Sequence, residues 1–157
     1  MKRTSIGFFL TFLVLLIFSA CQENVYIDWK LANDKWYDTH KSDSGFVTTS
    51  TGLCYKINYP GWALSRQPNV NSNVKVSYKG SLIDGSVFDS QPEKSPIWLT
   101  LSSTVAGWRE IMPKLHNGAS VKLYIPASLG YDTLSTNTAI PPHSVLIFDV
   151  NLIDSQY

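Results

Sequence analysis

From Leu53 onward the chain places its apolar residues at every second position, and this alternation limits the kind of fold open to it. Leu53, Tyr55 and Ile57 alternate with Cys54 and Lys56, and Val74, Val76, Tyr78 and Gly80 alternate with Lys75, Ser77 and Lys79. A strand turns successive side chains to opposite faces, so period two with one wet face describes antiparallel strands covered on one side. Ile97, Leu99 and Leu101 predict a further strand, Val121, Leu123 and Ile125 another, and the long apolar run from Val145 to Ile153 a last one. Pro60, Gly61, Pro68 and Asn69 mark the turn-rich stretch between the first two.

One segment breaks this rhythm. Val105, Trp108, Met112 and Leu115 fall on one stripe at helical period, and Gly118 follows as a stop. Pro113 lies inside that span and removes a backbone donor, so the last turn should be distorted or end early. The expectation is an α+β fold of two layers: an antiparallel, twisted sheet of five to six strands with one short helix packed across it.

The segment before the alternation reads differently. Lys2 and Arg3 precede an almost wholly apolar run from Ile6 to Phe18, and the small residues Ser19 and Ala20 lead into Cys21. That is the order of a secretory signal, and the run is shorter than the ~20 residues of a membrane-spanning helix. Phe18-Ser19-Ala20-Cys21 resembles the lipobox of bacterial lipoproteins, with Phe18 in place of the usual leucine. The resemblance implies cleavage before Cys21 and lipidation of its thiol, and several acyl chains make such an anchor effectively permanent. Gln22 follows the cysteine where an aspartate would favour inner-membrane retention, which places the expected protein in the bacterial cell envelope, on the outer membrane facing the periplasm. Residues 1–20 are thus expected to be a signal peptide, 21–50 a membrane-proximal spacer, and 51–157 the folded domain. Val25, Trp29, Ala32 and Trp36 suggest a short amphipathic helix in the spacer, and Asp38 to Gly45 a linker.

Charge and cysteines narrow the function classes. Removing Lys2 and Arg3 from the 13 basic residues leaves 11 against 12 acids. A near-neutral surface without a basic block gives little electrostatic attraction to nucleic acid or to anionic lipid, and neither partner is indicated. With Cys21 lipidated, Cys54 has no intrachain partner, and its place in an alternating run makes it a buried small hydrophobe. His40, His116 and His143 stand apart from one another and from cysteines at metal spacing, and no G-x-S-x-G elbow or Walker loop occurs. No cofactor or metal is expected. The domain instead carries Tyr78, Phe88, Trp98, Trp108, Tyr131 and Phe148 on separate elements. Packing alone would explain any one of these aromatics.

VKVSYKGSLIDGSVFDS at Val74 to Ser90, VAGWREIMPKLHNG at Val105 to Gly118, KLYIPASLGY at Lys122 to Tyr131 and IPPHSVLIFDVNLI at Ile140 to Ile153 follow one another in the chain. Together they resemble the successive signature blocks of FKBP-type peptidyl-prolyl cis/trans isomerases, in family order and at family-like spacing. The resemblance implies a proline-binding pocket lined by Tyr78, Phe88, Val105, Trp108, Ile140 and Phe148, with Trp108 as its floor, and Asp89 and Tyr131 as the catalytic pair. It also implies proline-containing exported polypeptides as substrates and makes macrolide FKBP inhibitors candidate ligands.

Such a pocket needs no nucleophile. Rotation about an X–Pro amide is blocked by resonance, which places negative charge on the carbonyl oxygen. A dry aromatic pocket disfavours that polar planar form relative to the twisted one, while the Val105 N–H or the Tyr131 hydroxyl holds a flanking carbonyl. Three residues depart from the family pattern. Thr104 and Ala139 trim apolar surface where larger aliphatics are usual, and Asp132 follows Tyr131 where glycine is usual, so the loop from Tyr131 to Pro142 is expected to take a different path. Two alternatives fit the same residues: a holdase-type chaperone, and a structural lipoprotein whose FKBP fold has lost catalysis.

Overall fold

The computed structural model describes residues 26–132 and 139–157. Residues 26–40 form a helix, α1. Strands β1 (Val47–Thr48), β2 (Cys54–Tyr59), β3 (Asn73–Ser81), β4 (Val87–Gln91) and β5 (Ile97–Thr100) follow, then a short helix α2 (Ala106–Ile111), β6 (Ser120–Ile125) and β7 (Leu146–Gln156). The strands make one antiparallel sheet in the order β1-β2-β6-β7-β3-β4, with β5 also on β3. One edge of β3 is shared end to end: β5 pairs with Asn73 to Val76 and β4 with Tyr78 to Ser81.

Seven strands form where alternation marks five. The two that alternation misses are β1, only two residues long, and β4, whose Val87, Asp89 and Ser90 are exposed. An edge strand that covers little core has no apolar period to display.

One face of the sheet carries the core. Val74, Val76, Val121, Leu123, Ile125, Leu146, Phe148, Val150 and Leu152 are buried together with Trp108, Ile111, Met112 and Leu115 of the α2 region. The helix lies close because Gly107 faces the sheet, where a Cβ would sit 2.8 Å from Ile125 Cγ2. The predicted helix from Val105 to Leu115 is divided: α2 ends at Ile111 and Met112–Lys114 continues as a 3-10 turn around Pro113. The ring of Pro113 cannot support a further α-turn.

The opposite face is not left wet along its whole length. Tyr124 alternates away from the core, yet it is buried: Trp36 meets its ring edge-on at 4.9 Å and Phe46 stacks on it at 4.3 Å. The α1 stripe differs from the expected one. Asn33 is buried while Ala32 is exposed, and Val25 lies outside the described residues. Asn33 Oδ1 accepts from the Val145 N–H at 2.8 Å and its Nδ2 donates to the Trp29 carbonyl. An amide side chain turns inward here because it satisfies a buried backbone donor. Trp29 Nε1 donates to Ser144 Oγ, and the Tyr37 hydroxyl donates to the Gly52 carbonyl. Helix α1 also runs to residue 40, past Asp38, where a linker is expected. It forms a third layer at one end of the sheet. Ser77, expected on the wet face, is buried as well and accepts from Asn151 Nδ2 at 3.1 Å.

Cys54 is fully buried with a free thiol, as its alternation predicts. Burial is the main cause that pushes this thiol above its ordinary range, away from the reactive thiolate.

Candidate active site

A cavity of about 490 Å³ opens where β3, β4 and β5 meet the α2 end of the sheet. That size suits a side chain and its flanking peptide groups. Its floor is Trp108, the third residue of α2, buried to 2% exposure. Tyr78 stands edge-on to this indole with ring centroids 5.4 Å apart, and Phe148 does the same at 5.3 Å. Edge-to-face contacts of this kind hold aromatic walls at fixed angles. Gly80 makes the arrangement possible: a Cβ there would lie 2.6 Å from Phe88 and 2.8 Å from Phe148.

The polar groups lie at the rim. The Tyr78 hydroxyl donates to Asp89 Oδ2 at 2.7 Å. Burial, and after it the hydrogen bond and charge of Asp89, push the Tyr78 phenol well above its ordinary range, so it stays a donor. Two donors face no acceptor among the described residues: the buried Trp108 Nε1–H and the Val105 backbone N–H, at the cap position of α2. Tyr131, exposed at the rim, completes the lining with Gly130 and Ser128 and adds to the upward push on the Tyr78 phenol. No cluster of three His, Cys, Asp or Glu suited to a metal occurs among the described residues.

Of the residues expected at the site, Tyr78, Asp89, Val105, Trp108, Tyr131 and Phe148 line this cavity together. Phe88 does not line it; it stands behind Phe148, with ring centroids 5.4 Å apart and perpendicular planes. Ile140 is buried in the core and is likewise absent from the lining. Cys21 lies outside the described residues. Asp132 keeps the left-handed backbone, with φ of 50°, that a glycine would adopt without strain. Its N–H donates to the Ala127 carbonyl and its carbonyl accepts from the His143 N–H, so the start of the loop is tied down in spite of the departure. Residues 133–138 are outside the described part.

The chain itself adds Leu99, Ser103, Thr104, Ala106 and Arg109 to the lining. Arg109 was legible in principle, because it lies one helical turn after Val105 and shares its face.

Residues 65–153 match the sequence profile of the FKBP-type peptidyl-prolyl cis-trans isomerases. The chain belongs to that family. Peptidyl-prolyl cis-trans isomerase Mip of Coxiella burnetii is 37% identical over 115 residues, which span 73% of this chain and 49% of that protein. Outer membrane protein MIP of Legionella longbeachae is 34% identical over 125 residues, 79% of this chain and 53% of the relative. The chain thus spans about half the length of these FKBP relatives. The crystal structure of FkpA from Escherichia coli superposes with a TM-score of 0.83 at 30% identity, covering 99% of this chain and 74% of that one. The coverage of that FKBP fold includes α1 and not only the sheet.

Proposed function

We propose that the chain is a peptidyl-prolyl cis/trans isomerase that works on exported polypeptides from the bacterial envelope. The observation that carries this reading is the cavity over Trp108, aromatic on its floor and walls, with Tyr78 bonded to Asp89 at the rim, in a member of the FKBP family.

The chemistry required is modest in kind and large in effect. The X–Pro bond isomerises in tens to hundreds of seconds without help, against a barrier of ~18–20 kcal/mol. The proline ring enters between Tyr78 and Phe148 over the Trp108 indole. Water is excluded from the amide, which removes the solvation that favours the planar, charge-separated form. The Val105 N–H and the Tyr131 hydroxyl hold a neighbouring carbonyl, and the Asp89 carboxylate faces the amide oxygen, whose negative charge falls as the bond twists. The Val105 and Tyr131 contacts position the substrate, while desolvation and the Asp89 carboxylate favour the twisted state over both planar isomers, and that difference is the catalysis. Macrolide FKBP ligands are proposed to compete for the same cavity.

The test is turnover of a proline tetrapeptide in a protease-free assay. Acceleration that a saturating FKBP macrolide abolishes supports the reading; a rate equal to the uncatalysed one overturns it.

The location proposed is a lipid anchor on Cys21, at the outer membrane. The order of charge, apolar run, Ser19-Ala20 and cysteine supports it, and the Legionella relative is named as an outer membrane protein. Mass spectrometry of membrane-extracted protein should find a mature N-terminus at Cys21 carrying acyl chains. An unmodified Cys21 overturns the anchor.

A further inference from the structure

Among the described residues, one charged side chain besides Asp89 lines the cavity: Arg109, on α2. We infer that Arg109 is a specificity residue that selects substrates with an acidic side chain next to the isomerising proline. The inference rests on the isomerase reading and adds the chemistry of the preferred sequence.

The geometry sets Arg109 apart from an ordinary surface cation. Its Nη1 donates to the backbone carbonyl of Thr104, so the side chain folds back along the cavity wall instead of extending into water. A guanidinium has five N–H donors in a planar fork, and one bond leaves the rest for a ligand. No carboxylate pairs with it among the described residues. Glu110, the neighbouring acid, accepts from Thr51 Oγ1 instead. Asp89 comes from β4 and is engaged by Tyr78, so it leaves the Arg109 charge without a partner. The adjacent hydroxyls are committed too: Thr104 Oγ1 donates to the Leu101 carbonyl and Ser103 Oγ to the Thr100 carbonyl.

The Thr104 bond has a second effect. It fixes a long, flexible side chain before substrate arrives, so less conformational freedom is lost when a carboxylate binds. A carboxylate accepts from two parallel N–H groups of a guanidinium, which an uncharged or basic side chain cannot do.

The experiment compares proline peptides that differ only in Glu, Gln or Lys placed one or two residues to either side of the proline. The quantity read is the Glu-to-Lys ratio of kcat/KM, for the wild type, Arg109→Gln and Arg109→Glu. The wild-type ratio should be about two- to fivefold at one of the positions, the range of a solvent-facing ion pair. It should fall to near one in Arg109→Gln, invert in Arg109→Glu, and collapse at 1 M salt, where the screening length is ~3 Å. The same ratio is read as Kd by fluorescence anisotropy of labelled peptides. A wild-type ratio near one at every position, or one that Arg109→Gln leaves unchanged, overturns the assignment. If no peptide is turned over, the isomerase reading fails, and the Kd ratios still decide the role of Arg109.

Discussion

Tyr78 and Asp89 lie directly across no single rung of the sheet, yet the Tyr78 hydroxyl reaches Asp89 Oδ2 at 2.7 Å and ties β3 to β4 at the cavity mouth. The phenol is held above its ordinary range by burial first and by Asp89 second. A raised pKa in the folded state means that the folded chain holds this proton more tightly than the unfolded one. The contribution to stability is therefore complete below the unfolded value near 10 and is lost as pH rises beyond it. Phenolate absorbance of the native protein should show Tyr78 among the last tyrosines to ionise, together with Tyr37 and Tyr124, which burial also shifts upward. In Asp89→Ala the Tyr78 phenol should ionise at lower pH, read as the change that Tyr78→Phe abolishes; an unchanged titration would separate Tyr78 from Asp89 in solution.

The two polar groups assigned to catalysis should be separable from stability. Asp89→Ala and Tyr131→Phe each remove a group at the rim and no buried apolar surface. Turnover should fall on the order of tenfold, ~1.4 kcal/mol of transition-state binding, with little change in melting temperature. Both variants at full kcat/KM beside an active wild type would leave desolvation by the aromatic walls as the whole mechanism.

Phe148 has the opposite profile. It is 5% exposed and touches Tyr78, Phe88 and Trp108 at once. Phe148→Ala should cost roughly 3–5 kcal/mol through the cavity it opens, and activity should be lost mainly by unfolding. Trp108→Leu keeps an apolar floor of smaller area. It should raise KM for a proline peptide more than it lowers the urea midpoint; the reverse order would make Trp108 a packing residue only.

The buried Asn33 gives a test of α1. Asn33→Ala leaves the Val145 N–H without its acceptor and should cost about 1–3 kcal/mol by urea unfolding. A chain beginning near Gly45 should lose more, because the Trp36 cover of Tyr124 goes with it. Equal midpoints for that shortened chain and the full one would show that the docking adds no stability.

Strands β3, β6 and β7 were legible because each presents a clean apolar face to one core, and four motif blocks pointed to the cavity. Helix α1 as a packed layer was not. Its inward residues include Asn33, whose amide reads as solvent-facing until a backbone partner 112 positions away is in place. β4 was illegible for the reason that it is an edge with exposed side chains. At the site, aromatic identity was readable but depth was not: Phe88 and Phe148 look alike in sequence, yet Phe148 faces the cavity and Phe88 stands behind it. Arg109 has only its spacing from Val105 as a signal in the sequence, and a charged residue beside a tryptophan on a helix ordinarily faces water.

The docking of α1 makes the segment ahead of the sheet a handle rather than a string. Trp29 grips Ser144, Asn33 grips Val145 and Trp36 covers Tyr124, on the strand beside the one that carries Phe148. These contacts fix the direction of the cavity mouth relative to the start of α1. The proposed anchor on Cys21 would therefore aim the mouth, and the number of residues between anchor and handle would decide how far from its support the proposed isomerase can search for chains in need of a turn.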